Sequence, residues 1–381
     1  MKFSELSTPA ALIDVEVMKA NIARMQDRMT ALGVRFRPHV KTSKCIAIVQ
    51  DQIAAGAQGI TVSTLKEAEQ FFAQGITDIM YAVGMVPHKL SQALKLIEAG
   101  CQLKLIVDSV SAAQAIAQAN VGRRHCDHKI DVYIEVDTDG HRSGVKPTDP
   151  LLLDIAASLE SEGSAARLAG VMTHAGGSYD LNTPEALVAM AEQERSRCVQ
   201  AAEFLRQAGY ACPEVSVGST PTALSASHLA GVTEVRAGVY VFFDLVMSNV
   251  GVCQPQDIAL SVLTTVIGHQ SEKGWAIVDA GWMAMSRDRG TQKQSKDYGY
   301  GQVCNVDGEV IAGYVMEQAN QEHGIVCSTL GLDTDIAKRF PVGSQLRVMP
   351  NHACATGAQF PEYLAVKDHQ VIASWPRFYG W

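Results

Sequence analysis

The sequence predicts an α/β protein: a parallel (β/α)8 barrel followed by a C-terminal β domain. Two observations carry that prediction. Eight apolar, β-rich runs recur between residues 34 and 241, separated by Ala-, Leu-, Glu- and Gln-rich segments long enough for crossover helices. After residue 254 helical material thins out, and short strand-like runs separated by turn signals take over. An open doubly wound sheet is the competing arrangement, but no Gly-x-Gly-x-x-Gly turn follows an early strand.

Taken in order, residues 8–14 read as a strand. Residues 15–32 follow as a helix, with Val17, Met18, Ile22, Met25, Met29 and Leu32 near helical spacing and Gly33 as the stop. The eight barrel strands are placed at 34–40, 59–63, 78–83, 103–108, 131–137, 168–174, 214–217 and 234–241. The β domain is built from runs at 259–268, 274–279, 303–310, 345–349 and 364–375. The expected division is a leading strand (1–14) that joins the β domain, a barrel over 15–253 and the β domain over 254–381.

A chain of 381 residues, 47% of them hydrophobic, can bury a large core. Its net charge of −8 provides no global basic field, which argues against nucleic acid and anionic membranes as partners. The first twenty residues lack the pattern of a secretory signal, and no run of 18 apolar residues occurs, so a cytoplasmic location is expected. Nine scattered cysteines without CxxC pairs indicate neither a disulfide framework nor a zinc ribbon.

Candidate chemistry collects at the ends of the predicted barrel strands, where this architecture keeps it. Residues 34–40 alternate apolar and basic types, and Lys41 falls where that strand ends. Residues 137–144, Asp-Thr-Asp-Gly-His-Arg-Ser-Gly, are too polar and glycine-rich for core. In that loop Arg142 is either a cation at the mouth or the partner of a loop aspartate. Gly218, Ser219 and Thr220 form a small-residue turn ahead of a helix, suited to a phosphate, and Gly238 and Tyr240 could close the same cradle. His174 and Tyr179 also lie near a strand end. In the β domain, His352 and Cys354 are two residues apart, which in extended backbone points both at one face that could hold a metal.

Together these motifs resemble the fold-type III pyridoxal phosphate enzymes, the family of alanine racemase, D-threonine aldolase and eukaryotic-type D-serine dehydratase. The carrying residues are Pro38-His39-Val40-Lys41, residues 137–144 and Arg236-Ala237-Gly238-Val239-Tyr240. The likeness extends over residues 59–69, 215–222, 274–291 and 350–360, so it covers essentially the whole chain. It implies that Lys41 carries pyridoxal 5'-phosphate and serves as the base, that Arg236 faces the pyridine nitrogen, and that Tyr179 lies against the cofactor. Glu135 stands where alanine racemases carry a modified lysine, and it could orient Arg142.

Dehydratases of this family carry His-x-Cys, whereas its aldolases carry His-x-Asp; His352-Ala353-Cys354 therefore implies elimination of water. The expected substrate is 3-hydroxyaspartate, foremost the D-threo isomer, giving oxaloacetate and ammonia. The expected metal is a divalent ion: zinc, manganese, cobalt, nickel or magnesium. Dehydration of D-serine or D-threonine, aldol cleavage of 3-hydroxyaspartate or D-threonine, and a non-catalytic role in cofactor homeostasis are the alternatives. Homodimers are common in the family, although no feature of the sequence demands one.

Overall fold

The computed structural model describes residues 2–119 and 129–381. The chain forms two compact units, Met25–Gly238 with Phe378–Trp381, and Met1–Arg24 with Val239–Arg377.

The first unit is built on eight parallel strands. In spatial order they are Arg35–Phe36, Glu234–Val235, Glu214–Val217, Ala166–Met172, Ile130–Glu135, Gln102–Val107, Asp78–Tyr81 and Ile60–Val62. The two ends of that order join through a parallel bridge between His39 and Thr61. There Val40 N–H donates to Thr61 O at 2.9 Å and Thr61 N–H to Pro38 O at 2.8 Å. The first and last strands are shorter than the sequence suggests. Pro38 has no N–H for the ladder, and beyond Val235 the chain leaves the sheet for a short 3-10 turn at Val239–Val241.

Inside this sheet lie an apolar layer and a charged one. Met80, Ile106, Tyr133, Ala169 and Met172 pack as one cluster. Arg37, only 1% exposed, donates through Nε to Glu234 at 2.7 Å and grips both oxygens of Asp78 at 2.8 and 3.1 Å. A second cation, Lys104, pairs with the same aspartate. The alternating basic residues of 34–40 thus split, Arg37 turning inward into a fully paired network, which is what makes a buried charge tolerable.

The second unit carries a nine-stranded sheet. The leading strand, Ala10–Asp14, lies antiparallel to Leu260–Gln270 on one side and parallel to Glu362–Lys367 on the other. Phe3, Leu12, Leu263 and Val366 form a core cluster beside it.

Two expected strands are in fact hairpins. The run 303–310 divides into Gly301–Cys304 and Val310–Ala319 because the Asn305 side chain accepts from Asp307 and Glu309 N–H and turns the chain. The run 364–375 divides into Glu362–Lys367 and Gln370–Pro376 at Asp368 and His369, both with positive φ (50° and 59°). Gly324–Ser328 is a strand that the hydrophobic pattern does not announce.

Candidate active site

The lysine segment is held from below. Ser63 N–H donates to Glu67 Oε2 at 2.9 Å, and Thr64 caps the helix Leu65–Ala73 by accepting from Glu67 N–H. Ser63 Oγ reaches His39 Nε2 at 3.3 Å, while Lys44 Nζ pairs with Glu67 at 2.8 Å. Three lysines compete here as nucleophile, and the structure separates them: Lys44 is paired with Glu67 and Lys66 with Glu69. Lys41 is exposed, and its ammonium has no acidic partner among the described residues.

Around Lys41 the field is cationic. Burial, with Lys41, Arg236 and His174 nearby, holds the His39 imidazole well below its ordinary pKa. Burial likewise takes His174 down to about 3, helped by Lys41, Arg236 and Arg142 and opposed by the bond from His174 Nδ1 to Gly218 O (3.0 Å). Both rings are therefore neutral at physiological pH. His174 also faces Tyr179, ring centroids 6.1 Å apart.

Arg236, 3% exposed, continues the interior network: Nε donates to Ser216 Oγ at 2.9 Å, Nη2 donates to Thr173 O, and Ser216 Oγ donates to Glu234 at 2.7 Å. Arg37 and Arg236 thus share one carboxylate relay.

The turn at 218–220 is backed by a residue that sequence reasoning missed. Glu194, on the helix Pro184–Gln207 and 2% exposed, accepts from Ala175 N–H at 2.9 Å and Gly218 N–H at 3.1 Å. Burial raises its pKa against the pull of Thr222 and these amides. A signal existed: Glu194 interrupts the apolar stripe Leu187, Ala191, Cys198, Ala201, Leu205 at helical spacing. Ser219 caps the helix Thr220–Ser225, its N–H and hydroxyl both engaged with Thr222, and its hydroxyl lies 2.8 Å from that of Ser178. Gly218 (φ +134°) accepts no side chain, since a Cβ would lie 2.2 Å from Arg236 O. At Gly238 a Cβ would lie 3.0 Å from His39 O.

In the loop 137–144, Asp137 and Asp139 turn inward onto backbone N–H groups, including Gly177 N–H at 2.8 Å. Neither is the partner of Arg142. The Arg142 guanidinium instead stands 3.6 Å from Glu135, itself 6% exposed.

In the second unit, His352 has extended backbone as the N-cap of the short helix Ala353–Gly357, so Cys354 lies in a helical first turn instead of on a strand. Asp244 sets this geometry, accepting from Ala353 N–H and from Met247 N–H at 2.9 Å each and capping two helices at once. His352 Nδ1 bonds Asp288 Oδ2 at 2.6 Å. Asn351 anchors the same loop through Gly299 O (2.8 Å) and Thr291 Oγ1 (3.1 Å). Burial acts to lower the His352 pKa, but the Cys354 sulfur and the Asp288 carboxylate overcome it and push it up to about 11. Asp288 has no local signal in the sequence; its pairing with His352 exists only once the sheet has formed. Tyr240, 1% exposed, also belongs to this unit.

An alanine racemase N-terminal domain matches residues 13–246, and a serine dehydratase domain matches residues 259–366. The chain belongs to the fold-type III pyridoxal phosphate family. Within it, D-threo-3-hydroxyaspartate dehydratase of Delftia sp. (strain HT23) is 65% identical, over 99% of this chain and 98% of that one. D-serine dehydratase of Dictyostelium discoideum is 30% identical, over 97% and 96%. The solved structure of the Delftia enzyme superposes with a TM-score of 0.96 at 64% identity, covering 100% of both chains. Alanine racemase of Clostridium difficile 630, at 14% identity and TM-score 0.68, shares the fold.

The residues suit the family's cofactor: a lysine amine without an acidic partner among the described residues, a turn whose Gly218 packs so closely on the Arg236 backbone that no side chain fits, and buried hydroxyls at Ser219 and Thr220. They also suit a divalent ion. With Nδ1 bound to Asp288, His352 has Nε2 as its ligand nitrogen, the carboxylate–histidine arrangement common at metal centres, and Cys354 adds a soft donor.

Proposed function

We propose that the chain is a hydro-lyase that removes water from 3-hydroxyaspartate, foremost the D-threo isomer, and releases oxaloacetate and ammonia. The observation that carries this reading is 65% identity along the whole length to a dehydratase of that specificity, supported by the His352-Ala353-Cys354 sequence in place of His-x-Asp.

Lys41 would hold pyridoxal 5'-phosphate, with Gly218, Ser219, Thr220, Gly238 and Tyr240 at the phosphate and Arg142, His174, Tyr179 and Arg236 around the ring. When bound, that cofactor supplies an electron sink for the α-carbon. The Lys41 amine takes the α-proton. Neutral His39 and His174 add no positive charge of their own. Arg236 would place a cation at the ring nitrogen of the bound cofactor, which would disfavour full ring protonation and leave more of the work to the leaving group.

His352 and Cys354 would hold a divalent ion whose Lewis acidity, worth several kcal/mol, acts on the β-hydroxyl. Their donor softness favours zinc, with manganese, cobalt, nickel and magnesium as the other candidates. A non-catalytic cofactor-binding role is disfavoured because such proteins are single barrels, without a second unit like this one. The location proposed is the cytoplasm; no helix among the described residues is long and apolar enough to cross a membrane.

The test is product analysis with the 3-hydroxyaspartate isomers and D-serine, before and after chelation and metal restoration. Oxaloacetate and ammonia from the D-threo isomer, abolished by chelator and restored by metal, is the expected result. Release of glycine and glyoxylate would replace the reading with the aldolase one.

A further inference from the structure

3-Hydroxyaspartate carries its distal carboxylate on the same carbon as the leaving hydroxyl; D-serine has no such group. Whatever binds that carboxylate separates the two reactions. A hydroxyl drawn to a cation on His352 and Cys354 brings the carboxylate next to that pair, so its recogniser should come from the surrounding residues of the second unit.

Three arginines compete for the role. Arg289 is already neutralised, with Nη2 2.9 Å from Asp297 and its guanidinium over the Tyr300 ring at 5.3 Å. Arg142 is paired with Glu135 in the first unit. Arg287 is exposed and has no acidic partner among the described residues; its guanidinium lies over the Trp282 ring at 4.5 Å. The indole contact takes up no hydrogen-bond donor of the exposed Arg287, and a guanidinium with its N–H groups available can grip a carboxylate through two parallel bonds.

The backbone holds this residue beside the metal pair. Arg287 immediately precedes Asp288, the partner of His352, and follows Ser286, whose φ of 70° lies in a region that non-glycine residues rarely adopt. The Ser286 hydroxyl accepts from Asp288 N–H at 3.1 Å, locking the turn that sends Asp288 to His352 and Arg287 to Trp282.

We propose that Arg287 binds the distal carboxylate and sets the preference for 3-hydroxyaspartate over D-serine; this rests on the dehydratase reading above. In the metal-loaded holoenzyme, Arg287→Gln should lower the ratio of kcat/KM for D-threo-3-hydroxyaspartate to that for D-serine by roughly ten- to a hundredfold, the scale of a charge-assisted hydrogen bond. The loss should fall on KM for the dicarboxylic substrate, and Arg287→Lys should recover only part of it.

Calorimetric titration with malate, a hydroxy dicarboxylate without an amine, gives a readout independent of turnover; its binding should weaken in Arg287→Gln by a similar factor. A ratio within twofold of wild type, equal losses on both substrates, or a larger shift in Arg289→Gln would overturn the assignment. Wild-type enzyme that makes no oxaloacetate would remove the dehydratase reading and this inference with it. Normal wild-type turnover with an unshifted Arg287→Gln ratio would remove the inference alone.

Discussion

Glu194 bridges two loops with one carboxylate, joining Ala175 N–H after one strand to Gly218 N–H after the next. Both N–H groups donate to the one oxygen, Oε1, which Gln can still present but Ala cannot. The expected result for Glu194→Ala is a cofactor dissociation constant raised about tenfold or more, with turnover at saturating cofactor much less affected, and Glu194→Gln should fall closer to wild type. Absorbance titration of the apoprotein with pyridoxal phosphate, alongside kcat, measures the split. At this scale the sequence is a good guide where a residue's surroundings are close along the chain. The position of Lys41 just past its strand is legible because the strand, its proline and the following turn are contiguous. Arg37 looks identical in pattern yet is buried among Asp78 and Glu234, partners far away in sequence, and no local periodicity reports that.

Among elements, the strands of the first unit stand out in the sequence because parallel strands covered on both faces read as continuous apolar runs. The second unit is harder to read. Its hairpins alternate, and turns such as Asn305–Gly308 and Asp368–His369 lie inside stretches whose composition stays β-rich. His352 and Cys354 show the same limit: their spacing is visible in sequence, but their placement at a helix start depends on Asp244, more than a hundred residues earlier. That dependence can be tested. Asp244→Ala removes caps from two short helices and should cost roughly 1–2 kcal/mol per cap, visible as a lower denaturation midpoint. It should also weaken cobalt binding, followed by the cobalt–thiolate absorption band, and Asp244→Asn, which keeps one acceptor oxygen where the carboxylate uses two, should hold only one of the two caps.

For the whole molecule, buried rings and buried charges set the pH range. His174 and His39 have folded pKa values below the ordinary 6.5, so the unfolded chain takes up protons first as pH falls. The stability they contribute is complete above about pH 6.5 and is lost as pH falls toward the folded value, about 3 for His174. Thermal midpoints measured across that window should decline, and His174→Gln should flatten the decline. Loss of one buried ionic partner acts where the other is still charged: at neutral pH Arg37→Met should cost about 3–5 kcal/mol by stranding Glu234, and Arg37→Met combined with Glu234→Leu should cost less than the sum of the single changes.

The position of Ala10–Asp14 between two strands from the far end of the chain has a consequence for synthesis. One partner, Glu362–Lys367, leaves the ribosome some 350 residues later, roughly 20 to 70 s at ordinary elongation rates. Both edges of the leading strand stay bare until Leu260–Gln270 is made, and one edge until Glu362–Lys367 follows, while the first unit can already be folding; the strand is meanwhile a template for chaperones or for a neighbouring nascent chain. Slowing translation between the units should therefore raise aggregation of this protein, and a small apolar-to-charged change within the leading strand should alter yield more than it alters the activity of the molecules that complete the sheet.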